Sequence, residues 1–213
     1  MAKLESSFKN MVLVLSTITV VATLALSSVY SLTKEPIAAS KKAKKENAIK
    51  EVLLPFDRLE EETVLLENIP DSFYVYKAYK GDDFVGAAVL TFSKNGFSGE
   101  IKIMVGFDKE GNIINYSVLD QKETPGLGTK MVDWFKTEKG HQDIRGLNGA
   151  KNNLTVSKDG GEVDAITAAT ISSRAFLESV RYAYIAYTQN YDIASGATAM
   201  SDSHTANNKE EKQ

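Results

Sequence analysis

The chain has 213 residues, of which 43% are hydrophobic and 25% charged, and its net charge at pH 7 is −3. This composition is ordinary for a folded protein, and the small negative charge argues against a nucleic-acid-binding surface, which would be basic. Cysteine is absent and histidine occurs only at His141 and His204, which excludes disulfides, cysteine nucleophiles and cysteine-ligated iron–sulfur clusters and disfavours a metal site. Redox chemistry would therefore require an organic cofactor.

An uncharged, mostly apolar segment occupies residues 10–33, after a short tail at residues 1–9. About 20 helical residues, rising ~1.5 Å each, cross a hydrocarbon core of about 30 Å, so this segment predicts a single transmembrane helix. A cleaved signal peptide is the alternative, with a passable cleavage site at Ala25–Ser27. Because signal peptides have apolar cores of about 7 to 15 residues, a retained anchor is favoured.

Lysines flank this segment unequally. Lys3 and Lys9 precede it, whereas six lysines follow it between Lys34 and Lys50. Under the positive-inside rule this count places the following domain in the cytoplasm, although large domains can also be translocated despite flanking charge. The charge pattern alone leaves the side of the membrane undecided.

Residues 34–70 predict a juxtamembrane helix and a connection into the domain. Residues 41–53 are rich in alanine and lysine and predict a helix that ends before Pro55. Residues 56–70 are acidic and contain leucines, and we expect them to form the connection.

Residues 71–193 predict one α+β domain. Four segments rich in aromatic and β-branched residues are separated by three short turns, which favours a largely antiparallel sheet; they read SFYVYKAY, FVGAAVLTF, EIKIMVGF and IINYSVLD. A flanking helix is predicted from Ile171 to about Asn190, with one face formed by Phe176, Val180, Ala183, Tyr184, Tyr187 and Tyr191. Residues 194–213 are polar and predict a flexible tail.

Two short stretches combine an aspartate with small and hydroxyl-bearing residues. The first, VDAITAATISSRAF at residues 163–176, ends in the predicted helix; the second, DIASGAT at residues 192–198, follows that helix. Thr170 lies at the threshold of the helix, where free N–H groups and a partial positive charge favour a phosphate. The simpler interpretation is that a hydroxyl caps the helix.

Together with two further motifs, the first stretch resembles the FMN-binding domain family. Residues 164–170 are similar to the family's covalent FMN attachment motif, GFSG at residues 96–99 matches a family turn, and ETPGLG at residues 123–128 matches a family loop almost letter for letter. The resemblance covers roughly residues 72–191 and the N-terminal anchor. The family occurs in the G subunit of Rnf-type ion-translocating electron-transport complexes and in the C subunit of the sodium-pumping NADH:quinone reductase.

The resemblance implies a role for each matching residue. Thr170 would carry the FMN phosphate as an ester, and Asp164 would help a flavin transferase recognise or activate the site. Three groups of residues would surround the cofactor: Thr167, Ala168 and Ala169 at the phosphate, Ile171 and Ser172 at the helix entrance, and Thr124, Gly126, Leu127 and Gly128 near the flavin. Position 168 is alanine where the family usually has glycine, and alanine is disfavoured if the backbone there needs a positive φ.

The second stretch has glycine at the position that corresponds to Ala168, but it does not precede a helix. It follows the long helix and leads into the polar tail, so no helix N-terminus is expected for a phosphate at Thr198. We therefore expect attachment at Thr170.

The resemblance implies a membrane-anchored electron carrier. The protein would relay electrons between the other components of an Rnf-type ferredoxin–NAD oxidoreductase that translocates Na⁺ or H⁺, with its FMN domain on the extracytoplasmic side. The equivalent C subunit of the quinone reductase is the nearest alternative. A non-redox membrane-anchored binding module, with Thr170 as a helix cap, is another. No nicotinamide-binding motif supports an independent reductase activity.

Overall fold

The computed structural model describes residues 7–66 and 71–189, and the chain divides into two compact units at residues 1–45 and 46–213. The predicted tail and the second threonine stretch lie outside the described residues. The described helices and strands are α1 (Phe8–Val52), β1 (Arg58–Leu65), β2 (Ser72–Lys80), β3 (Asp83–Gly96), β4 (Gly99–Asp108), β5 (Ile113–Asp120), α2 (Met131–Trp134) and α3 (Thr170–Thr188).

The N-terminal part of α1 is long and apolar enough to cross a membrane, and none of its apolar side chains there is buried within the protein. Its hydroxyl groups bond within the helix: Thr17 donates to the carbonyl of Leu13, and Thr23 to that of Thr19, at 2.8 and 2.7 Å. Such bonds remove polar groups from contact with lipid. The helix also contains Pro36, so one element replaces the two separate helical segments predicted from the sequence.

The strands form one antiparallel sheet in the order β1-β2-β3-β4-β5, which confirms the predicted meander and the α+β class. The exception is β1, which lies in the segment predicted to be a connection. It pairs with β2 over its whole length, from Arg58 opposite Tyr79 to Leu65 opposite Ser72. Its sequence RLEEETVL is mostly exposed at the sheet edge. Because most of its side chains face solvent and several are charged, it lacks the aromatic and β-branched pattern from which the other strands were predicted.

Helices cover both faces of the sheet within the second unit. On one face, the last residues of α1 and the following Leu53 pack on β2, β3 and β4. A Cβ on Gly106 would lie 1.9 Å from the carbonyl oxygen of Val52. On the other face, α3 forms the main core. The predicted apolar face of α3 is confirmed for its described residues, since Phe176, Val180 and Ala183 are completely buried.

Candidate functional site

Glu123 joins three segments of the domain. It lies three residues after β5, and its side chain is only 4% exposed. Its Oε1 accepts a hydrogen bond from the backbone N–H of Ser98, in the turn between β3 and β4, at 2.9 Å. Its Oε2 accepts one from the hydroxyl of Ser172, in the first turn of α3, at 2.5 Å. The three motifs noted in the sequence therefore meet at one carboxylate.

The loop at residues 124–128 folds back on itself beside α3. The carbonyl of Thr124 accepts a hydrogen bond from the N–H of Leu127 at 3.1 Å, and the N–H of Gly126 donates to the hydroxyl of Thr129 at 3.0 Å. A Cβ on Gly128 would lie 2.6 Å from the hydroxyl oxygen of Ser172, so this position has no room for a side chain. The loop thus lies against the helix that begins at Thr170.

Thr170 is the first residue of α3 and does not cap it. The N-cap is Ala169, with φ −137° and ψ 45°, and no side chain makes a capping hydrogen bond there. Within the described residues the hydroxyl of Thr170, which is partly exposed, has no hydrogen-bond partner. As in any α-helix, the first N–H groups of α3 also have no carbonyl acceptor within the helix. This end therefore offers a nucleophilic oxygen next to several unsatisfied donors.

Ser173 holds the residues that precede the helix. Its hydroxyl oxygen accepts a hydrogen bond from the N–H of Ile166 at 2.9 Å, and the hydroxyl donates to the carbonyl of Ala169 at 3.0 Å. These bonds close the turn at Thr167 and Ala168, and both of these residues are exposed. The buried side chains of Ser173 and Ser172 thus hold the start of α3 in place. The hydroxyl of Ser172 donates its hydrogen bond to Glu123.

The backbone at Ala168 has φ +61°, the left-handed conformation in which alanine is disfavoured. Alanine there is strained by its Cβ, whereas glycine is not. We expect Ala168→Gly to raise the free energy of unfolding by about 0.5–1 kcal/mol, after allowing for the added freedom of glycine in the unfolded chain. The measurement is urea unfolding of the detergent-solubilised protein, followed by the fluorescence of its single tryptophan, Trp134.

A matched control is Ala150→Gly, at an exposed loop position where φ is not positive. This change should lower stability slightly, because it adds only unfolded-state entropy. If both substitutions destabilise the protein equally, the left-handed conformation at Ala168 is wrong.

Asp164 has a structural role in this arrangement. Its Oδ2 accepts a hydrogen bond from the N–H of His141 at 2.9 Å, and its Oδ1 one from the hydroxyl of Ser157 at 3.3 Å. Its carbonyl accepts a third from Nε1 of Trp134 at 2.9 Å. Asp164 thereby fastens two neighbouring loops to the stretch that leads into Thr170, a role that the short sequence pattern does not predict.

Arg174, the basic residue in the first turns of α3, is paired with a carboxylate. Arg174, one turn after Thr170, donates to both carboxylate oxygens of Asp159 at 2.7 and 2.6 Å. The hydrogen bonds from Arg174 lower the pKa of the Asp159 carboxyl. A phosphate at Thr170 would thus rely on the N–H groups and dipole of α3 more than on Arg174.

Comparison with known proteins identifies relatives of the chain. A family model described as FMN-binding domain matches residues 96–185, which include all three motifs. The chain is 32% identical over 196 residues to the G subunit of the ion-translocating oxidoreductase complex of Aliivibrio fischeri, over 84% of this chain and 89% of that protein. It is 39% identical over 113 residues to the protein of the same name from Yersinia pestis, over 51% and 53% of the two chains.

Proposed function

Because the chain belongs to the family of G subunits of ion-translocating oxidoreductase complexes, we propose that it carries FMN esterified to Thr170 and relays electrons within an Rnf-type complex. One observation carries this proposal: the hydroxyl of Thr170 is partly exposed, lacks a partner among the described residues, and begins a 19-residue helix. Bound FMN supplies one- and two-electron redox chemistry; the protein binds and orients it.

The residues around Thr170 fit a phosphate-linked flavin. The N-terminus of α3 presents donors and a positive dipole to a phosphate. Two exposed apolar side chains, Leu127 and Ile171, flank the helix start and are 37% and 48% exposed. They would hold the apolar flavin ring, with Thr124, Gly126 and Gly128 shaping the loop behind Leu127.

Attachment requires a flavin transferase and an activated donor. With a phosphoanhydride of FMN as donor, the hydroxyl oxygen of Thr170 forms a new bond to phosphorus and the anhydride P–O bond breaks. The other half of the donor leaves with the bonding electrons, and the threonine proton passes to a base of the transferase. Asp164 would support this reaction through the loop geometry that it fixes, with Thr167, Ala168 and Ala169 lining the phosphate.

A covalent link suits a carrier on the extracytoplasmic side, where free FMN is dilute. A tether keeps the flavin at an effective concentration on the order of mM without extensive non-covalent contacts. Its partners would be the other membrane, iron–sulfur and flavin proteins of the complex, which couples electron transfer to Na⁺ or H⁺ movement. The C subunit of a sodium-pumping quinone reductase is the second candidate, because the resemblance noted in the sequence extends to that subunit.

The native complex, purified through a tag on this chain, tests the assignment. We expect the complex to reduce NAD⁺ with reduced ferredoxin and to bleach the flavin absorbance of this chain during turnover. Quinone reduction by NADH in place of NAD⁺ reduction would identify the second candidate. A complex that never bleaches a flavin on this chain would leave only a non-redox binding module.

The side of the membrane is directly testable because the chain contains no cysteine. Asp82→Cys, in the exposed turn between β2 and β3, should react with a membrane-impermeant maleimide in intact cells. Lys3→Cys, before the apolar segment, should react only after lysis. The reverse labelling pattern would place the domain in the cytoplasm, as the lysine count suggests.

A further inference from the structure

Glu123 is a buried carboxylate without a cationic partner in the described part of the chain. Burying a charge is costly unless hydrogen bonds and dipoles compensate for the lost water. Here the N–H of Ser98 and the hydroxyl of Ser172 both donate to it, and it lies beside the N-terminal turn of α3, whose dipole favours an anion. Both carboxylate oxygens therefore act as hydrogen-bond acceptors.

Two glycines leave space for this carboxylate. A Cβ on Gly96 would lie 2.7 Å from Oε1 of Glu123, and a Cβ on Gly128 would lie 2.9 Å from Oε2. Gly96 is the last residue of β3, next to the turn that leads into β4, and Gly128 belongs to the loop beside α3. The sequence therefore omits side chains on two separate segments at the positions that contact Glu123, independently of the hydrogen bonds.

The residues that contact Glu123 have exposed apolar neighbours. Phe97 precedes Ser98 and is 66% exposed, Leu127 precedes Gly128, and Ile171 precedes Ser172. Ser98 and Ser172 donate hydrogen bonds to one carboxylate, and Gly128 packs against it. The spacing of these three apolar side chains therefore depends on Glu123.

We propose that Glu123 is a positioning residue: its hydrogen bonds to Ser98 and Ser172 hold the loop at residues 124–130 against α3 in the conformation that receives the flavin. The part of this inference that concerns flavin rests on the proposed function. The ordering of the loop by Glu123 is a property of the flavin-free protein and can be measured separately. Glu123 acts through the loop and the helix and needs no contact with the cofactor.

Hydrogen–deuterium exchange of the full chain, produced without transferase and solubilised in detergent, tests the ordering. In Glu123→Ala the amides of residues 124–130 should exchange about tenfold to 100-fold faster, because both bonds to the carboxylate are lost. The amides of residues 101–107 in β4 serve as an internal reference and should stay protected. Unchanged exchange of the loop in a folded Glu123→Ala protein would overturn the proposal.

Two further variants separate hydrogen bonding from charge. In Glu123→Gln the amide can accept from Ser98 and donate to Ser172, so loop protection should return to within a few-fold of wild type. Glu100→Gln removes a charge from an exposed glutamate close in sequence to Ser98 and should change nothing. If Glu123→Gln behaves like the alanine variant, the hydrogen-bond account is wrong. If Glu123→Ala does not fold, Ser172→Ala replaces it, with faster loop exchange again expected and unchanged exchange contradicting the proposal.

The loaded protein provides the second readout. After treatment with transferase, fluorescence anisotropy of the attached flavin should fall in Glu123→Ala and recover in Glu123→Gln, because a loosened loop no longer restrains the flavin. Absence of flavin from every variant, including wild type, would refute the proposed function and leave the exchange result to decide the role of Glu123. Flavin attached with unchanged anisotropy in Glu123→Ala would refute the positioning role alone.

Discussion

Thr170→Val should abolish covalent attachment of flavin. Valine has nearly the shape of threonine but lacks the oxygen that forms the ester, and the hydroxyl of Thr170 makes no hydrogen bond within the described residues whose loss would disturb the helix. The expected result is complete loss of the fluorescent band when protein produced with its transferase is denatured in SDS and viewed under ultraviolet light. A folded protein is expected, since the side chain does not cap α3.

Two matched variants make this experiment selective. Thr167→Val alters an exposed threonine of the same stretch, and Thr198→Val alters the second stretch. Thr198→Val should keep the fluorescent band at wild-type intensity. Thr167→Val should keep a covalent band of reduced intensity, because Thr167 would line the phosphate without forming the ester. A band lost only in Thr198→Val would mean that Thr198, in the second stretch, is the attachment site. A band lost only in Thr167→Val would mean that Thr167 is the attachment site.

Phe176→Ala should cost about 3–5 kcal/mol of unfolding free energy, the range for removing a fully buried aromatic ring. The ring of Phe176 is inaccessible to solvent, stacks on Phe135 at 4.4 Å between centroids and meets the edge of Tyr116 at 4.8 Å. It therefore fastens the helix that begins at Thr170 to the sheet and to the segment after α2. Loss of this ring leaves a cavity that the surrounding residues can fill only in part.

Urea unfolding followed by Trp134 fluorescence measures this loss, with Leu65→Ala as the control. Leu65 is an equally apolar residue but is 69% exposed on the edge strand, so its truncation should cost less than about 1 kcal/mol. A loss below about 1 kcal/mol for Phe176→Ala would contradict the packing described for α3.

The parts of the fold that can be predicted from the sequence are those in which local pattern and tertiary contact agree. Strands β2 to β5 combine β-branched residues with short turns, and α3 has apolar residues every three or four positions. Strand β1 escapes prediction because its glutamates face solvent and its conformation depends on pairing with β2. The residues between the two predicted helical segments, including Pro36, are also helical and join the segments into α1.

The site is predictable in its motifs but not in its connections. Short patterns single out Thr170 and the loop at residues 124–128 as candidates. Glu123 belongs to the loop motif, yet its partners Ser98 and Ser172 are 25 and 49 residues away in the sequence. Local sequence patterns do not predict contacts between residues so far apart. The resemblance implies that Asp164 helps a flavin transferase recognise or activate the site, and this stays a prediction. The hydrogen bonds that Asp164 accepts from His141 and Ser157 depend on the folded loops and could not be predicted from the motif.

Peptide mass spectrometry of the wild-type protein locates the flavin along the chain without any substitution. Trypsin cleaves after Lys158 and Arg174, so the first stretch is released as residues 159–174, whereas Thr198 falls in a separate peptide, residues 182–209. We predict that the mass of an FMN phosphoester lies on the first peptide and that fragment ions confine it between Ala169 and Ile171. A flavin mass on any other residue, or on neither peptide of a protein treated with active transferase, would show that Thr170 is not the attachment site.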